Sequence, residues 1–351
     1  MNFYKLQCSH FIQETKDTYS IVFAIPDELK DEFNYQAGQY LTLKVDIEGK
    51  EERRAYSISS VPKVDKDIKI TIKSLEGGKV SVYFPHNIKP GDFAEVMPPM
   101  GNFTFIPDFT RSQNYSLFAA GSGITPLFSI LKSILIFEPM SKVDLFYSNR
   151  YENDIIFYKE LKDLEVKYSK RLKIHHFLTK YDENWQHYRG RINYKHIGNI
   201  LNNQENQKKK QDFYICGPRE YMSNIENALA ILDFPKNRIH RESFTVDLDS
   251  LNKDNIPELI DSKVQVRVYG KTYNLQVAKG DTIVTAGIKQ NLILPYSCQI
   301  GACTTCRAKL ISGKVYMDIH DGLSDNELKN NYILTCRSFP ESEDVIVDLD
   351  Y

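Results

Sequence analysis

Net charge, cysteine and long apolar runs are all scarce in this sequence of 351 residues. The 45 basic and 46 acidic side chains nearly cancel, which excludes bulk electrostatic capture of nucleic acid as the main activity. The most apolar stretch, Leu127 to Phe137, is interrupted by Lys132 and falls short of the roughly 20 residues that cross a bilayer, so no membrane segment is predicted. Six cysteines are too few for a disulfide scaffold in a chain of this length. The first residues contain no basic segment followed by an apolar run, which predicts a cytoplasmic location.

The periodicity of the sequence changes along the chain and predicts a multidomain β plus α/β protein. Residues 1–108 contain short alternating runs separated by glycine and proline turns, a pattern typical of an antiparallel β-barrel. Over 109–246, buried strands alternate with helical periods, which predicts a parallel α/β domain. Residues 247–262 contain five acids, one lysine and Pro257, a composition that is typical of an exposed linker. A third domain is therefore predicted over 263–351.

Four of the six cysteines lie in this third domain with the spacing C-x4-C-x2-C-x29-C, and they are Cys298, Cys303, Cys306 and Cys336. This is the plant-type ferredoxin spacing for a 2Fe-2S cluster, and a glycine at 301 suits the bend of the ligand loop. A structural zinc site is the alternative, although zinc ribbons usually pair two short cysteine knuckles. The whole segment resembles the β-grasp fold of plant-type ferredoxins.

The end of the chain is acidic. Residues 318–351 hold nine acids and two bases, whereas residues 263–351 as a whole hold ten of each. A solvated face explains this composition without any function. The functional alternative is a docking surface that steers a basic partner protein toward the cluster.

Four short motifs precede the cysteines in a fixed order. RAYS at 54–57 lies on a predicted strand, and GGKVS at 77–81 lies in a turn before a helical segment. AAGSGITP at 119–126 follows a buried strand and opens a helix, where backbone amides can hold phosphate and Thr125 is available as a cap. CGP at 216–218 follows another apolar strand. Each motif alone is a common strand, turn or core feature, but in this order they resemble the ferredoxin-NADP reductase superfamily.

This resemblance implies FAD in the first domain, with FMN as the alternative, and a nicotinamide dinucleotide in the second. It implies catalytic positions for Tyr56, which would pack on the isoalloxazine, for Ser57, near the reactive flavin nitrogen, and for Cys216. The implied cofactor-binding residues are Arg54 at the flavin phosphate, Ile72 and Lys73 along the ring, Gly78, Val80 and Ser81 at the pyrophosphate, and Gly121, Gly123, Thr125, Gly217 and Pro218 at the dinucleotide. Phe244 would cover the flavin ring, and a core aromatic is the alternative for it.

Nicotinamide preference depends on the end of one predicted strand. The segment ending at Arg150 lacks the acid that would bind a free ribose hydroxyl, and the arginine suits a 2′-phosphate, which favours NADPH. Glu152 and Asp154 lie nearby and are acids of the kind that binds a free ribose hydroxyl, so NADH stays an alternative. Arg191 is a further candidate for the phosphate.

The order of the three domains resembles the reductase components of bacterial multicomponent oxygenases, and the motifs are most similar to those of the reductases of ring-1,2-phenylacetyl-CoA epoxidases. The resemblance implies that hydride from NADPH reaches FAD and that single electrons then pass through the 2Fe-2S cluster to an oxygenase. A desaturase, a Rieske oxygenase or a haem hydroxylase is an alternative acceptor, and a redox sensor is the alternative of another class. The sequence contains no hydrolytic signature, and its eight histidines form no ligand-spaced cluster, so oxygen activation is expected in another protein.

Overall fold

A computed structural model describes residues 2–201, 211–245 and 257–350. Phe3–Glu52 and Tyr56–Glu242 form one compact unit, and Arg53–Ala55 with the chain from Ser243 onward form another. The predicted boundary at 108/109 lies inside the first unit and stays a prediction. Most of the predicted linker, 247–262, lies outside the described residues. No helix in the described ranges is long and apolar enough to cross a membrane.

The first sheet is the predicted antiparallel barrel. Its strands are β1 (Tyr4–Thr15), β2 (Thr18–Ala24), β3 (Tyr40–Ile47), β4 (Lys50–Ser57), β5 (Ile68–Lys73) and β6 (Phe93–Met100), and helix α1 (Lys79–Asn87) follows β5. The strand order is β4-β3-β6-β1-β2-β5, and Ile58 just after β4 bridges Ile70 of β5, so the two edges meet. Alternation along β5 buries Ile68, Ile70 and Ile72, because every second side chain of a strand points to the same face.

The second sheet is parallel, as predicted. It contains β7 (Asn114–Ala120), β8 (Lys142–Asn149), β9 (Leu172–Leu178), β10 (Tyr188–Arg189), β11 (Gln211–Cys216) and β12 (Ile239–Glu242), with helices α2 (Ile124–Phe137), α3 (Tyr158–Lys167), α4 (Tyr194–Leu201) and α5 (Arg219–Ile231). The order is β10-β9-β8-β7-β11-β12. The chain winds outward from β7 in one direction and then returns to build β11 on its other side. The carboxyl ends of β7 and β11 therefore flank the switch point where such sheets bind ligands.

The C-terminal unit has the predicted β-grasp fold. Its strands are β13 (Ser262–Val268), β14 (Lys271–Val277), β15 (Arg307–Ser312), β16 (Val315–Met317), β17 (Tyr332–Leu334), β18 (Ser338–Pro340) and β19 (Asp344–Asp348), with helices α6 (Ile283–Lys289) and α7 (Asp325–Lys329). The main sheet has the order β14-β13-β19-β15-β17, and β16 pairs with β18. Valines of β13 and β19 form its core with Leu275 and Ile283. The cysteine loop lies between α6 and β15.

Candidate functional site

A serine, a cysteine and a glutamate meet at the carboxyl edge of the second sheet. Ser57 ends β4, and Cys216 and Glu242 end the neighbouring strands β11 and β12, where they are paired in register. The Ser57 hydroxyl is hydrogen-bonded to the Glu242 carboxyl group, whose Oε2 is buried without a hydrogen-bond partner among the described residues. Burial raises the pKa of Glu242 to about 8, and the Ser57 hydrogen bond offsets this only in part. At neutral pH this group is therefore mainly a neutral acid.

Cys216 is wholly buried beside this acid. Burial, with a smaller contribution from the Glu242 charge, raises the pKa of its thiol well above the ordinary value. The thiol is therefore protonated at neutral pH and can pack or donate a weak hydrogen bond, but it is not a thiolate nucleophile. The structure thus brings together two of the predicted catalytic residues, Ser57 and Cys216, with Glu242, to which the sequence resemblance assigns no role.

The start of helix α1 has the geometry of a phosphate site. Gly78 is its N-cap, and no side chain caps the first amides. A Cβ at Gly78 would lie 2.4 Å from Ser81 Oγ and 3.0 Å from the backbone oxygen of Leu75, so only glycine fits. The Ser81 hydroxyl already accepts a hydrogen bond from the Leu75 amide at 3.3 Å, and the Val80 side chain is buried. These residues therefore fit a flavin pyrophosphate through their backbone amides.

The predicted flavin-ring residues occupy different environments. Tyr56 is half-buried and packs against the barrel core, whereas the Ile72 side chain lies wholly within that core, so only its backbone can face a ligand. Lys73 Nζ lies 3.5 Å from Asp17 Oδ2. Arg54 lies on β4, two residues before Tyr56. Their flavin-binding roles stay predictions.

The glycine turn after β7 forms one wall of the switch-point crevice. Gly121 has a positive φ of 53°, and a Cβ at Gly123 would lie 2.1 Å from the backbone oxygen of Cys216. The N-cap of α2 is Gly123, with no side-chain cap, so the expectation that Thr125 caps this helix is wrong. Thr125 lies inside the first turn, and its hydroxyl donates to the Ser122 carbonyl at 3.0 Å. The uncapped amides leave this turn suited to a dinucleotide phosphate.

Gly123→Ala is expected to lower the free energy of unfolding by about 3 kcal/mol and to abolish nucleotide binding. The new Cβ would meet backbone, so relief requires β7 and β11 to separate at the crevice. Urea unfolding and calorimetric titration with NADP+ would measure both effects. Ser122→Ala, in the same turn, is the control and should change stability by less than about 1 kcal/mol. Normal stability and affinity in the Gly123 variant would contradict the expectation.

The predicted 2′-phosphate residues differ in their surroundings. Arg150 is exposed just after β8, and its carbonyl accepts the backbone amide of Lys180, also exposed, at 2.8 Å; the Lys180 ammonium lies over the Tyr151 ring. The Glu152 carboxylate accepts a hydrogen bond from the Tyr158 hydroxyl at 2.8 Å. Arg191 instead forms an exposed ion pair, 2.8 Å from Glu220. The 2′-phosphate roles of Arg150 and Arg191 stay predictions.

The four predicted cluster ligands approach one another as two pairs. Cys298 is hydrogen-bonded to Cys303, and both are half-buried, whereas Cys306 is hydrogen-bonded to Cys336, and both are buried. The hydrogen bond from Cys303, aided by backbone amides, lowers the pKa of Cys298 to about 6. Within the described ranges, no three His, Cys, Asp or Glu side chains are grouped as ligands of a single ion. Two thiolates per iron are what a 2Fe-2S cluster requires, whereas structural zinc takes four ligands around one ion.

The loop backbone also fits the cluster. Gly301 has a φ of 84°, and a Cβ there would lie 2.8 Å from Ile319 Cγ2, so both conformation and space require glycine. The hydroxyl of Ser297, next to the first ligand, is buried and has no hydrogen-bond partner in the described part of the chain. An acceptor such as a cluster sulfur would satisfy it.

Phe244 lies in the C-terminal unit. Its side chain is 38% exposed, so it is not a core residue of that unit. Its role as a cover of the flavin ring stays a prediction.

Comparisons with known proteins agree with this division. The family described as "Oxidoreductase FAD-binding domain" matches residues 5–105, "Oxidoreductase NAD-binding domain" matches 117–227, and "2Fe-2S iron-sulfur cluster binding domain" matches 266–341. The chain is 34% identical to a component of 1,2-phenylacetyl-CoA epoxidase from Escherichia coli K12, over 99% of this chain and 98% of that one. It is also 34% identical to the ferredoxin reductase component of 3-ketosteroid-9-alpha-monooxygenase from Rhodococcus rhodochrous, over 98% and 96% of the two chains. Phthalate dioxygenase reductase shares the fold, with 24% identity, a TM-score of 0.59, and coverage of 99% and 98%.

Proposed function

The chain belongs to the family of oxygenase reductases that join FAD-binding, NAD-binding and 2Fe-2S domains, and on this premise we propose that it transfers electrons from NADPH to a separate oxygenase. The observation that carries the proposal is that one chain contains both a glycine-walled dinucleotide crevice and two cysteine pairs. Bound FAD and a 2Fe-2S cluster supply the conversion of a two-electron hydride into single electrons. The FAD-binding domain supports FAD over FMN.

The protein residues bind the reactants, and one buried pair of side chains can hold a proton. The amides at the start of α1 bind the flavin pyrophosphate, and Tyr56 packs on the ring. The Glu242 carboxyl group and the Ser57 hydroxyl form a neutral, buried pair that can hold a proton beside the reacting atoms. The backbone carbonyl of Cys216 lies against Gly123, and its buried thiol stays protonated beside Glu242. No side-chain nucleophile is needed.

The dinucleotide is proposed to be NADPH. Arg150 and Lys180 are exposed cations that follow the neighbouring strands β8 and β9, and they suit the doubly charged 2′-phosphate. Glu152, which could have bound free ribose hydroxyls, is instead held by Tyr158. NADH remains the alternative donor.

The acceptor is proposed to dock near the less buried cysteine pair. Ile300, inside the cysteine loop, is exposed, and it supplies an apolar contact next to Cys298 and Cys303. Because relatives are named as parts of oxygenases, an oxygenase is the acceptor, with phenylacetyl-CoA epoxidase as the first candidate. A desaturase, a Rieske oxygenase or a haem hydroxylase is the alternative.

An anaerobic titration of the reconstituted protein with NADPH, and separately with NADH, tests the proposal. Flavin and iron-sulfur absorption should bleach together, and NADPH should be the better reductant. Fast reduction of artificial acceptors would argue against the redox-sensor alternative. Failure of either nucleotide to bleach the protein would reject the reductase function.

A further inference from the structure

A buried tyrosine connects two loops at the carboxyl edge of the second sheet. Tyr147, the third residue from the end of β8, is fully buried. Its hydroxyl donates to the carbonyl of Gly121 at 3.1 Å and accepts the backbone amide of Ile156 at 3.2 Å. The first partner lies in the phosphate turn, and the second lies in the loop that begins at Arg150. Burial raises the pKa of Tyr147, so the hydroxyl keeps the proton that it donates.

The loop at 150–157 is held in a conformation that needs outside support. It ends at Phe157, a bulky residue with a positive φ of 60°, which is uncommon and costly for a side chain of this size. The Phe157 ring stacks on Phe128 of α2, with ring centres 4.2 Å apart. The loop is therefore fixed twice to the elements around the phosphate turn, by ring stacking and by the Tyr147 hydroxyl.

Loss of the Tyr147 hydroxyl would affect the loop at 150–157 more than the turn at Gly121. The Gly121 carbonyl also accepts the amide of Ile124, so it keeps a partner without Tyr147. Tyr147 is the one acceptor found for the buried Ile156 amide in the described residues. Loss of the hydroxyl would leave this amide unpaired and would release the loop from the turn.

We propose that Tyr147 is a positioning residue whose hydroxyl couples the phosphate turn at Gly121 to the loop that carries Arg150, so that both hold the dinucleotide as one unit. This inference rests on the proposed function, because it assigns the two loops to one nucleotide. Tyr147 itself does not touch the reacting atoms. Its expected effect is on nucleotide affinity rather than on the chemical step.

Tyr147→Phe tests the proposal, because it keeps the ring and removes the hydroxyl. The KM for NADPH and the Kd for NADP+ are expected to rise about 5- to 10-fold, while kcat changes less than about twofold.

Tyr115→Phe is the matched control. Tyr115 is also a buried tyrosine of this sheet, but its hydroxyl donates to Glu138 Oε2 at 2.9 Å, near the opposite end of β7. The control should lower Tm without changing nucleotide affinity. Equal nucleotide affinity in the two variants would overturn the proposal.

A measurement on the unmodified protein covers the case in which Tyr147→Phe does not fold. Amide hydrogen exchange is followed with and without NADP+, and protection is expected to increase together at the 121–124 turn and at Ile156. Protection of the turn alone would show that the loops act separately and would reject the coupling. Failure of the proposed function is distinguishable, because the unmodified protein would then neither bind NADP+ nor be reduced by NADPH.

Discussion

Cys298→Ser is expected to reduce NADPH-driven reduction of cytochrome c by at least about 100-fold, because the cluster loses a thiolate ligand and with it the route for single electrons. Reduction of a two-electron dye such as dichlorophenolindophenol should continue, since it can take electrons directly from the flavin. The ratio of the two activities, measured on the same preparation, therefore separates loss of the cluster from general damage. Iron content and visible absorption would confirm the loss of the cluster.

Cys8→Ala is the matched control for this variant. Cys8 is a buried cysteine of the barrel and lies outside the cluster loop, so its replacement should leave both activities near those of the unmodified protein. Normal cytochrome c reduction by the Cys298 variant would contradict the assignment of this residue as a ligand.

Glu242→Gln is expected to remove a pH dependence of stability. The folded-state pKa of Glu242, about 8, lies above the unfolded value near 4.5, so the native state holds more protons between these two values. The contribution of Glu242 to the free energy of unfolding is therefore fully present below pH about 4.5 and is lost as the pH rises toward 8. The free energy of unfolding falls by up to about 1.4 kcal/mol per pH unit in this window. Glutamine stays neutral, so the difference in free energy of unfolding between variant and unmodified protein should grow across this window.

Urea unfolding at pH 5, 6.5 and 8 would measure this difference. Turnover with NADPH should fall above pH 8 in the unmodified protein as Glu242 ionises, whereas the glutamine variant, which cannot exchange a proton, should turn over more slowly and without this pH dependence. Glu220→Gln is the control, because Glu220 forms an exposed ion pair with Arg191 and should not change the slope. Parallel stability curves for Glu242→Gln and the unmodified protein would show that the carboxyl group is not buried as described.

Local sequence patterns were sufficient where the chemistry depends on a short stretch of backbone. The spacing of Cys298, Cys303 and Cys306 predicts the cluster loop because these ligands lie on one bend, and a glycine at 301 is required by its positive φ. The turn at Gly121 and Gly123 was predictable for the same reason. The change from period two to helical periodicity likewise predicts the antiparallel and parallel sheets, because each sheet type buries its strands differently.

Residues whose roles depend on tertiary contacts could not be found in this way. Glu242 lies in the polar sequence RIHRE, which gives no sign that its carboxyl group is buried beside Ser57. The superfamily resemblance includes Glu242 in the segment that ends at Phe244 but implies a role only for the phenylalanine. Pairing between the distant strands β8 and β9 places Lys180 next to Arg150, and the contacts of the Tyr147 hydroxyl likewise join segments that are far apart in the sequence. Thr125 was expected at the helix cap because the pattern did not show that α2 begins at Ile124, directly after Gly123.

The acidic end of the chain has a further consequence for how electrons leave the protein. Asp318 and Glu327 form ion pairs with Arg337 and Arg307, and the Asp350 carboxylate accepts two backbone amides. The ion pairs offset two of the nine negative charges of residues 318–351, whereas the backbone hydrogen bonds of Asp350 offset none. Glu343 and Asp344 are among the exposed carboxylates that remain, so the encounter with a basic acceptor should weaken as ionic strength rises, and close fit around Ile300 should matter most once the proposed complex has formed. Such a surface suits a carrier that must release its acceptor quickly after each electron.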